Sequence, residues 1–575
     1  MPKLIEVIRR IFPNGTSPLS PQSWKEPPSW PPDAFAISAT LVNRSGCYTD
    51  PRYSTTGLPG CIFTDQLRRN IKANGSKWAK NPLPIPGHML PQIVRGAWRK
   101  IFQCRSESLL ESKGWWDAAI TLMLLADEAS AGVGFYDPQN PTPMNYVLYK
   151  EQGDGYSMTL EGKRHVSILP GKVSDTFSSL TWMVDSNEVV VQPKSQTPQV
   201  GCTLRSLSHH LCLLPPIGEI KTQWLFAPQE KTESFNLLLV PFPFQLDGNS
   251  FVPINKALGP SGGFFDIQQD WLRDKGRPLR SEEIARFLIG LIKAARKETR
   301  RVNGLVLPEA ALSEKHVGSI ARILAKQADL TFFISGVSHQ PTNGSGKLPE
   351  NKVASFLFTK KSIYTWWKQS KHHRWKLDEG QIRRYHLGDA FDYRKVWWEH
   401  INLNPRVCTF YVFGPGVSMA TLVCEDLARI EPVQTVLRAV GPNLVIVLLM
   451  DGPQLEKRWP GRYATVLADD PGSAVLTLTS MGMVRRSRMP GEKENRKIAL
   501  WKEAEGEAKE LSLPDGCQGL LVTLSLSRKT NYTLDGRSDD TCSSEGGTMH
   551  LSLTGVRGVA HPNPKRWVDD HRRVW

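Results

Sequence analysis

The sequence predicts an α/β protein in its second half, preceded by a separate mixed α+β region, and two observations carry that reading. After Pro215-Pro216 the texture changes to short, continuously apolar runs such as NLLLV and NLVIVLL, separated by stretches with helical spacing. Such runs suit strands covered on both faces, and their alternation with helices defines the class. The length, 575 residues, allows roughly two to four domains, each able to bury a core without disulfide or metal staples.

In chain order, residues up to Pro32 are dense in Pro, Ser and Trp and read as an irregular arm. Residues 33–214 form the mixed region, with one clear helix at Trp115–Ala131 and short strand-like pieces from Tyr146 to Val200. The segment Gly201–Pro216 carries Ser206, Ser208, His209 and His210 close together, but a nucleophile–base pair needs facing geometry that adjacent residues seldom supply, so a structural role is expected. The body spans 224–554, with expected strands at Phe235–Phe244, Gly304–Leu307, Leu330–Gly336, Val353–Thr359, Ser362–Trp367, Val407–Phe413, Met419–Val423, Asn443–Leu449, Ala474–Thr479 and Leu520–Ser525. Gly259–Phe265 reads as a glycine turn. Ser281 caps a helix whose Ile284, Phe287, Leu288, Leu291, Ile292 and Ala295 share one face, and further helices are expected at Ser313–Gln327 and Trp459–Leu467. The stretch 555–575 reads as a basic, irregular tail.

The longest strongly apolar stretch, Ala118–Ala126, is far short of the roughly 20 residues that cross a bilayer, and MPKLIEVIRRIFPNG has no signal-peptide core. Nine cysteines, an odd number without a Cys-x-x-Cys pair, fit a reducing compartment. A cytoplasmic protein with no membrane partner is expected. The formal charge of +16 attracts polyanions at long range. The Trp-rich, basic stretch around Trp366, Trp367, Trp375, Trp397 and Trp398 would suit single-stranded nucleic acid, although packing of an insertion against the body is the favoured role.

Three positions fall at the ends of expected strands, where side chains reach a common cleft while a sheet holds their backbones. These are Glu309 after GLVLP, Lys371 past IYTWWKQS, and Cys424 at the end of MATLVC. A cysteine where a strand turns into a helix gains a lowered pKa and backbone N–H groups able to hold an oxyanion.

The motifs LVLPEAAL and VCEDLAR, with GPNLVIVLLM and RYATVLADDPGSAVLTLTS after them, resemble those of the nitrilase, or carbon–nitrogen hydrolase, superfamily over about Trp224–Ser525. The Cys-Glu-Asp form is especially similar to the superfamily's glutaminase domains. The resemblance implies a four-layer αββα sandwich, no cofactor or metal, an amide or nitrile as substrate, and Glu309, Lys371 and Cys424 as a catalytic triad, with the backbone N–H of Glu425 binding the oxyanion. In the superfamily the lysine precedes a second glutamate by a few residues, so Glu379 is taken for that glutamate, and Lys376 is a rival to Lys371. The segment LSHHLCLLPP and the mixed region before the sandwich also resemble nitrilase modules associated with bacterial anti-phage reverse transcriptases.

The expected function is cysteine-dependent hydrolysis of a non-peptide C–N bond, with a nitrilase-fold scaffold or a single-stranded nucleic-acid-binding protein as alternatives. A homo-oligomer is also expected, formed through a helix starting at Cys424 that carries Leu427, Ile430, Val433 and Leu437.

Overall fold

The computed structural model describes residues 2–53, 61–82, 89–111, 113–133, 179–226, 234–254, 262–341, 346–359, 361–413, 417–489, 491–539 and 547–564. Most of the strand-like stretch expected at Tyr146–Val200, residues 259–261, Cys542 and the end of the tail lie outside these residues, and 262–265, expected as part of a glycine turn, belong to strand Gly262–Ile267.

Two seven-stranded sheets form the body. The first runs, from edge to edge, Ser362–Ser370, Glu350–Thr359, Phe332–His339, Gly304–Ser313, Ser234–Leu239, Gly519–Lys529 and Thr548–Val559. The second runs Lys509–Ser512, Lys497–Lys502, Ala474–Thr479, Leu444–Leu449, Ser418–Val423, Val407–Val412 and Lys221–Phe226. Their faces meet where Gly304–Ser313 lies over Leu444–Leu449 and Ala474–Thr479, and Glu350–Thr359 over Ser418–Val423. Every residue of the strands Ser418–Val423, Leu444–Leu449 and Ala474–Thr479 is buried, because helices cover the outer faces as well. Helices Ser281–Ala295 and Glu314–Gln327 pack together on the first sheet, and Trp459–Asp469 lies on the second. The result is an α/β sandwich of four layers, αββα. A small four-stranded sheet (Lys376–Leu377, Val396–Glu399, Gly262–Ile267, Phe251–Ile254) is added beside it.

The expected strands of the body are present, and the largest additions are those the chain makes outside the apolar runs. Lys221–Phe226 and Thr548–Val559 complete the large sheets as edges; the second takes in Gly555–Val559, which were expected to be irregular tail. The alternation in Thr548–Val559 is half exposed, and this conceals a strand from a search for apolar runs.

The N-terminal region is mainly helical: Leu4–Ile11, Pro31–Ser45, Asp65–Lys80, Gln92–Gln103 and Trp116–Ala129, with a two-stranded sheet of Val190–Pro193 and Leu211–Leu214. The first 32 residues are therefore not wholly an irregular arm. Leu4, Val7, Ile8 and Ile11 bury one face of the first helix, and Trp30 is buried just before the second, with its indole N–H donating to Leu180 O at 2.7 Å.

The helix expected to begin at Cys424 is broken. A short 3₁₀ turn, Cys424–Ala428, is followed by extended backbone at Glu431, and regular α-helix covers only Thr435–Val440. Leu427, Val433 and Leu437 are buried within the chain, and Ile430 alone of the four is exposed, at 66%. Helix Thr435–Val440 packs against strand Leu211–Leu214, and Ser195 N donates to Val440 O at 2.7 Å, so the N-terminal region covers this face. The apolar stripe expected for a second copy is spent inside the monomer.

The segment with His209 and His210 lies at this junction. Asp127 accepts backbone N–H bonds from His209, His210 and Leu211 at 2.9–3.0 Å. Arg537, from the loop joining the last two strands of the first sheet, is fully buried against Asp127, Glu128 and Asp535. The Lys194 ammonium donates to the carbonyls of Arg205 and Ser208, and Arg205 reaches Asp470, just past the helix end in LADD, at 2.7 Å. This segment clamps the two halves of the chain together, which is a structural role. Among the described residues no helix is long and apolar enough to cross a membrane.

Candidate functional site

The site is built at one end of the two large sheets. Strand Gly304–Ser313 is longer than expected, and Glu309 sits within it at a bulge, where the register to Phe332–His339 shifts between Ser335 and Val337. Ala310, next to Glu309, has a positive φ of 52°. Gly336 makes the bulge fit: a Cβ there would lie 2.4 Å from Glu309 Cα and 2.4 Å from Pro308 O, a clash with backbone that cannot yield.

Lys371 directly follows strand Ser362–Ser370, and its N–H donates to Asn351 O at 2.9 Å. Its ammonium lies between two carboxylates, 2.8 Å from Glu309 Oε1 and 2.7 Å from Glu399 Oε2. The Asn351 amide nitrogen donates to the other side of the same pair, 2.8 Å from Glu309 Oε1 and 2.8 Å from Glu399 Oε1. Two carboxylate acceptors fix the orientation of that amide, so its oxygen points away from them. Glu399 is held in turn by the N–H of Trp375 at 3.0 Å.

Cys424 begins the turn after strand Ser418–Val423 with φ +49°. A non-glycine residue in this left-handed region costs on the order of 1–3 kcal/mol, and such costs concentrate at functional sites. Asp426, two residues on, locks the turn to the lysine segment. It accepts from the His372 N–H at 3.0 Å and lies 3.1 Å from His373 Nδ1 and 3.3 Å from His372 Nδ1. Burial works against its charge, but the two histidines outweigh burial and hold the carboxyl at about 2. The residue after Lys371 is thus tied directly to the turn that carries Cys424.

The electrostatics follow from burial. Removal from water raises the Glu309 carboxyl above its ordinary value, with Lys371 pulling the other way. Burial disfavours the Lys371 charge, but Glu309 and Glu399 outweigh it and push the ammonium well above its ordinary value. The Cys424 thiol is pushed well up, first by burial and then by the charge of Glu309, against the pull of Lys371. The lowered thiol pKa expected from a helix start is not what the structure gives: the turn is short, the thiol is only 2% exposed, and a carboxylate stands beside it. Cys424 therefore rests as a neutral thiol.

The positions expected from sequence divide clearly. Glu309 and Lys371 are in direct contact, Cys424 is near enough for both charges to act on its thiol, and Glu425 follows Cys424 in the turn, where the leading N–H groups have no partner within the turn. Glu379 is not in the cluster. It begins the exposed helix Glu379–Arg384, pairs with Arg383 at 2.9 Å, and its side chain is 59% exposed. Glu399 stands where Glu379 was expected, because a helix and a strand intervene and place the second carboxylate 28 residues after the lysine. Lys376 is likewise exposed, its ammonium 5.9 Å from the Trp398 ring centroid.

Asn351, Glu399 and Asp426 were missed from sequence. The one available signal was the Cys-Glu-Asp order, since Asp426 is a carboxylate on the cysteine turn itself. A small cleft lined by Asp266, Ala310, Gln340 and His400 ends on Asn351 and Glu399. Within the Trp-rich stretch Trp375 is buried against Phe251, Phe265 and Tyr385 and Trp397 meets Phe391 edge to face, whereas Trp366 is exposed, with the Lys368 ammonium 5.2 Å from its ring centroid.

No family model matches the chain, and no curated protein matches it. Solved structures do. An amidase of the nitrilase superfamily from Nesterenkonia is 14% identical over 52% of this chain and 91% of its own, with a TM-score of 0.30. A carbon–nitrogen hydrolase from Helicobacter pylori is 12% identical over 49% of this chain and 86% of its own, with a TM-score of 0.28. A member of branch 10 of the nitrilase superfamily from Saccharomyces cerevisiae is 10% identical over 57% of this chain and 92% of its own, with a TM-score of 0.29.

Proposed function

We propose that the protein is a cysteine-dependent hydrolase of a non-peptide C–N bond, in an amide or a nitrile, with Glu309, Lys371 and Cys424 as its catalytic residues. The observation that carries this reading is the buried Lys371 bridging Glu309 and Glu399 beside a cysteine held at positive φ. A purely structural ion pair would need neither the strained turn nor the bulge that places Glu309.

The chemistry follows from the protonation states. Glu309, buried and therefore basic for a carboxylate, takes the thiol proton as Cys424 Sγ bonds to the substrate carbon. Negative charge developing on an amide oxygen is met by the Lys371 ammonium and the backbone N–H of Glu425. The C–N bond breaks as Glu309 returns the proton to the leaving nitrogen, which departs as ammonia or an amine and leaves a thioester. Water, deprotonated by Glu309, then attacks the thioester carbon; the acid is released and Cys424 regains its proton. For a nitrile, the same attack gives a thioimidate that adds water and loses ammonia. Glu399 and Asn351 hold Lys371 and Glu309 in register and are positioning residues.

The test is release of ammonia from a panel of primary amides and nitriles, with intact-mass detection of an acyl-enzyme. The expected result is turnover and a transient adduct in the wild type, both absent in Cys424→Ala. Absence of ammonia and of any adduct across the panel would refute the hydrolase and leave the scaffold role, in which the same cluster serves assembly without turnover.

A further inference from the structure

The N-terminal region holds a cavity of about 670 Å³, within the size range of small-molecule sites, and none of its lining residues belongs to the cysteine cluster. Three segments enclose it: the chain between the first two helices, helix Asp65–Lys80, and the start of helix Gln92–Gln103. The first of these is the stretch dense in Pro, Ser and Trp, and tryptophans make it a fixed wall. The indole N–H of Trp78 donates to Ser29 O at 2.7 Å, that of Trp24 to Phe12 O at 2.8 Å and that of Trp98 to Trp24 O at 3.2 Å. Thr16 Oγ1 adds a bond to Glu26 O at 2.6 Å. A ligand entering here meets walls that are already ordered.

The charged side chains of this cavity are unspent. Arg95 closes the first turn of helix Gln92–Gln103, and its Nε is shielded from water without a hydrogen-bond acceptor among the described residues. Arg10, Arg52 and Arg68 of the same region each pair with a carboxylate, whereas Arg95, Lys77 and Glu26 make no ion pair among the described residues. A guanidinium N–H shut away from water with no acceptor is a cost that a bound anion removes. Pro91 and Gln92 also line the cavity, and the helix end they form favours negative charge. Lys77, on the facing helix, supplies a second cation; against the single lining carboxylate, Glu26, this leaves an excess of one positive charge. The mouth is apolar, with Leu19 56% and Met89 74% exposed.

We infer that this cavity binds a small organic anion, whose phosphate or carboxylate head is held by Arg95 and Lys77 and whose apolar body lies against Leu19, Met89 and Leu90. The planar fork of an arginine suits either head, since each offers two oxygens to parallel N–H groups. Glu26 repels a second negative group, so the ligand carries one anionic head. Binding here requires no chemistry at Cys424 and stands whether or not the chain is a hydrolase.

The test is calorimetry on the full chain at physiological salt with phenyl phosphate, benzoate and phenol, probes that share a ring and differ in the head. At least one of the two anions is expected to bind about ten-fold or more tightly than phenol, the size of one charge-assisted hydrogen bond, and the anion that does so names the head. Arg95→Gln is expected to weaken that anion by about ten-fold or more and Lys77→Gln by a smaller factor. Arg99→Gln, exposed on the same helix and outside the cavity lining, should leave it unchanged. Should Arg95→Gln not fold, the exposed Lys77→Gln and the wild-type ranking decide alone. Binding of neither anion, or phenol bound as tightly as both, would overturn the inference. So would equal losses in Arg99→Gln and Lys77→Gln, which would reduce the affinity to the general positive charge of the chain.

Discussion

Two buried ionic clusters among the described residues are built differently. Under the N-terminal region, Arg537 meets Asp127, Glu128 and Asp535, and main-chain groups back both this set and the nearby Lys194. Asp127 takes three backbone N–H groups, Lys194 is capped by two carbonyls, and Arg537 reaches Leu207 O at 2.9 Å. At the edge of the sandwich, Lys371 meets Glu309 and Glu399 through side chains alone, and Glu309 Oε2 and Asn351 Oδ1 are bare. The first cluster is ordered largely by backbone and leaves one acceptor, Asp535 Oδ1, bare, whereas the second is ordered by side chains. Positive φ separates them further, since Ala310 and Cys424 flank the second cluster and no described non-glycine member of the first has one.

The largest effects should come from the second cluster. Cys424→Ala is expected to lower turnover by on the order of 10⁴ or more, and Lys371→Met by 10² or more through loss of oxyanion stabilisation. Steady-state kinetics with an amide substrate measures both. A Lys371→Met enzyme within a few-fold of wild type would move the oxyanion role to another group and dissolve the distinction drawn between the clusters.

Arg537→Met probes the first cluster. It leaves Asp127, Glu128 and Asp535 buried without their shared cation, a loss of about 3–5 kcal/mol, seen as a lower denaturant midpoint. Because Arg537 joins the loop before the last strand of the first sheet to helix Trp116–Ala129, the stability change should come without a change in kcat of the folded enzyme. A matching fall in kcat would mean that the two clusters are coupled.

How much of this could be read from sequence depends on what each residue's neighbours reveal. The strands of the body were legible because runs such as LVIVLL are apolar on both faces; Glu309, Lys371 and Cys424 were singled out as strand ends, which holds for Lys371 and Cys424, while Glu309 lies within the longer strand Gly304–Ser313. Glu399 was not, because a short helix and a two-residue strand separate it from Lys371, and local spacing points to Glu379 instead. Asn351 gives no sequence signal at all: it is one polar residue beginning a strand, and its role arises only when sheet pairing brings it beside Glu309. The first two N-terminal helices were hidden by composition: Leu4–Ile11 buries only four residues before a stretch rich in proline and serine, and Pro31–Ser45 is buried almost all round and so shows no polar face.

Titration sharpens the comparison with smaller effects. In the proposed mechanism Glu309 has to be ionised to take the thiol proton, and burial raises its pKa, so kcat/KM should fall as pH drops through a value above 4.5. Beside the first cluster, burial lowers the Lys194 ammonium to about 7, with Asp127 opposing. The folded state then sheds this proton above about pH 7, while the unfolded chain keeps it to about 10.5, so the Lys194 contribution to stability rises between those values. Denaturation midpoints measured at intervals from pH 7 to 10 should show that rise in the wild type and lose it in Lys194→Met. An unchanged slope in the variant would mean that Lys194 titrates alike in both states.

The smallest effects are expected at the two positions that local spacing favoured and the fold set apart. Glu379→Gln removes only an exposed i,i+4 pair with Arg383, worth about 0.3–0.5 kcal/mol. Lys376→Ala removes an exposed ammonium from over the Trp398 ring, worth about 0.5–1 kcal/mol. Neither side chain meets Glu309, Lys371 or Glu399, so kcat/KM for both variants should stay within about two-fold of wild type, inside the range of ordinary surface substitutions. Glu399→Gln is the control that gives the null result meaning. It removes one of two carboxylates from Lys371 while keeping size and shape, so the ammonium leans wholly on Glu309, and the base loses part of its freedom to take a proton. A strong loss in Glu399→Gln beside silence in Glu379→Gln would assign the second glutamate to the strand Val396–Glu399. Equal silence in both would reduce Glu399 to packing and leave Lys371 and Glu309 as a simple ion pair.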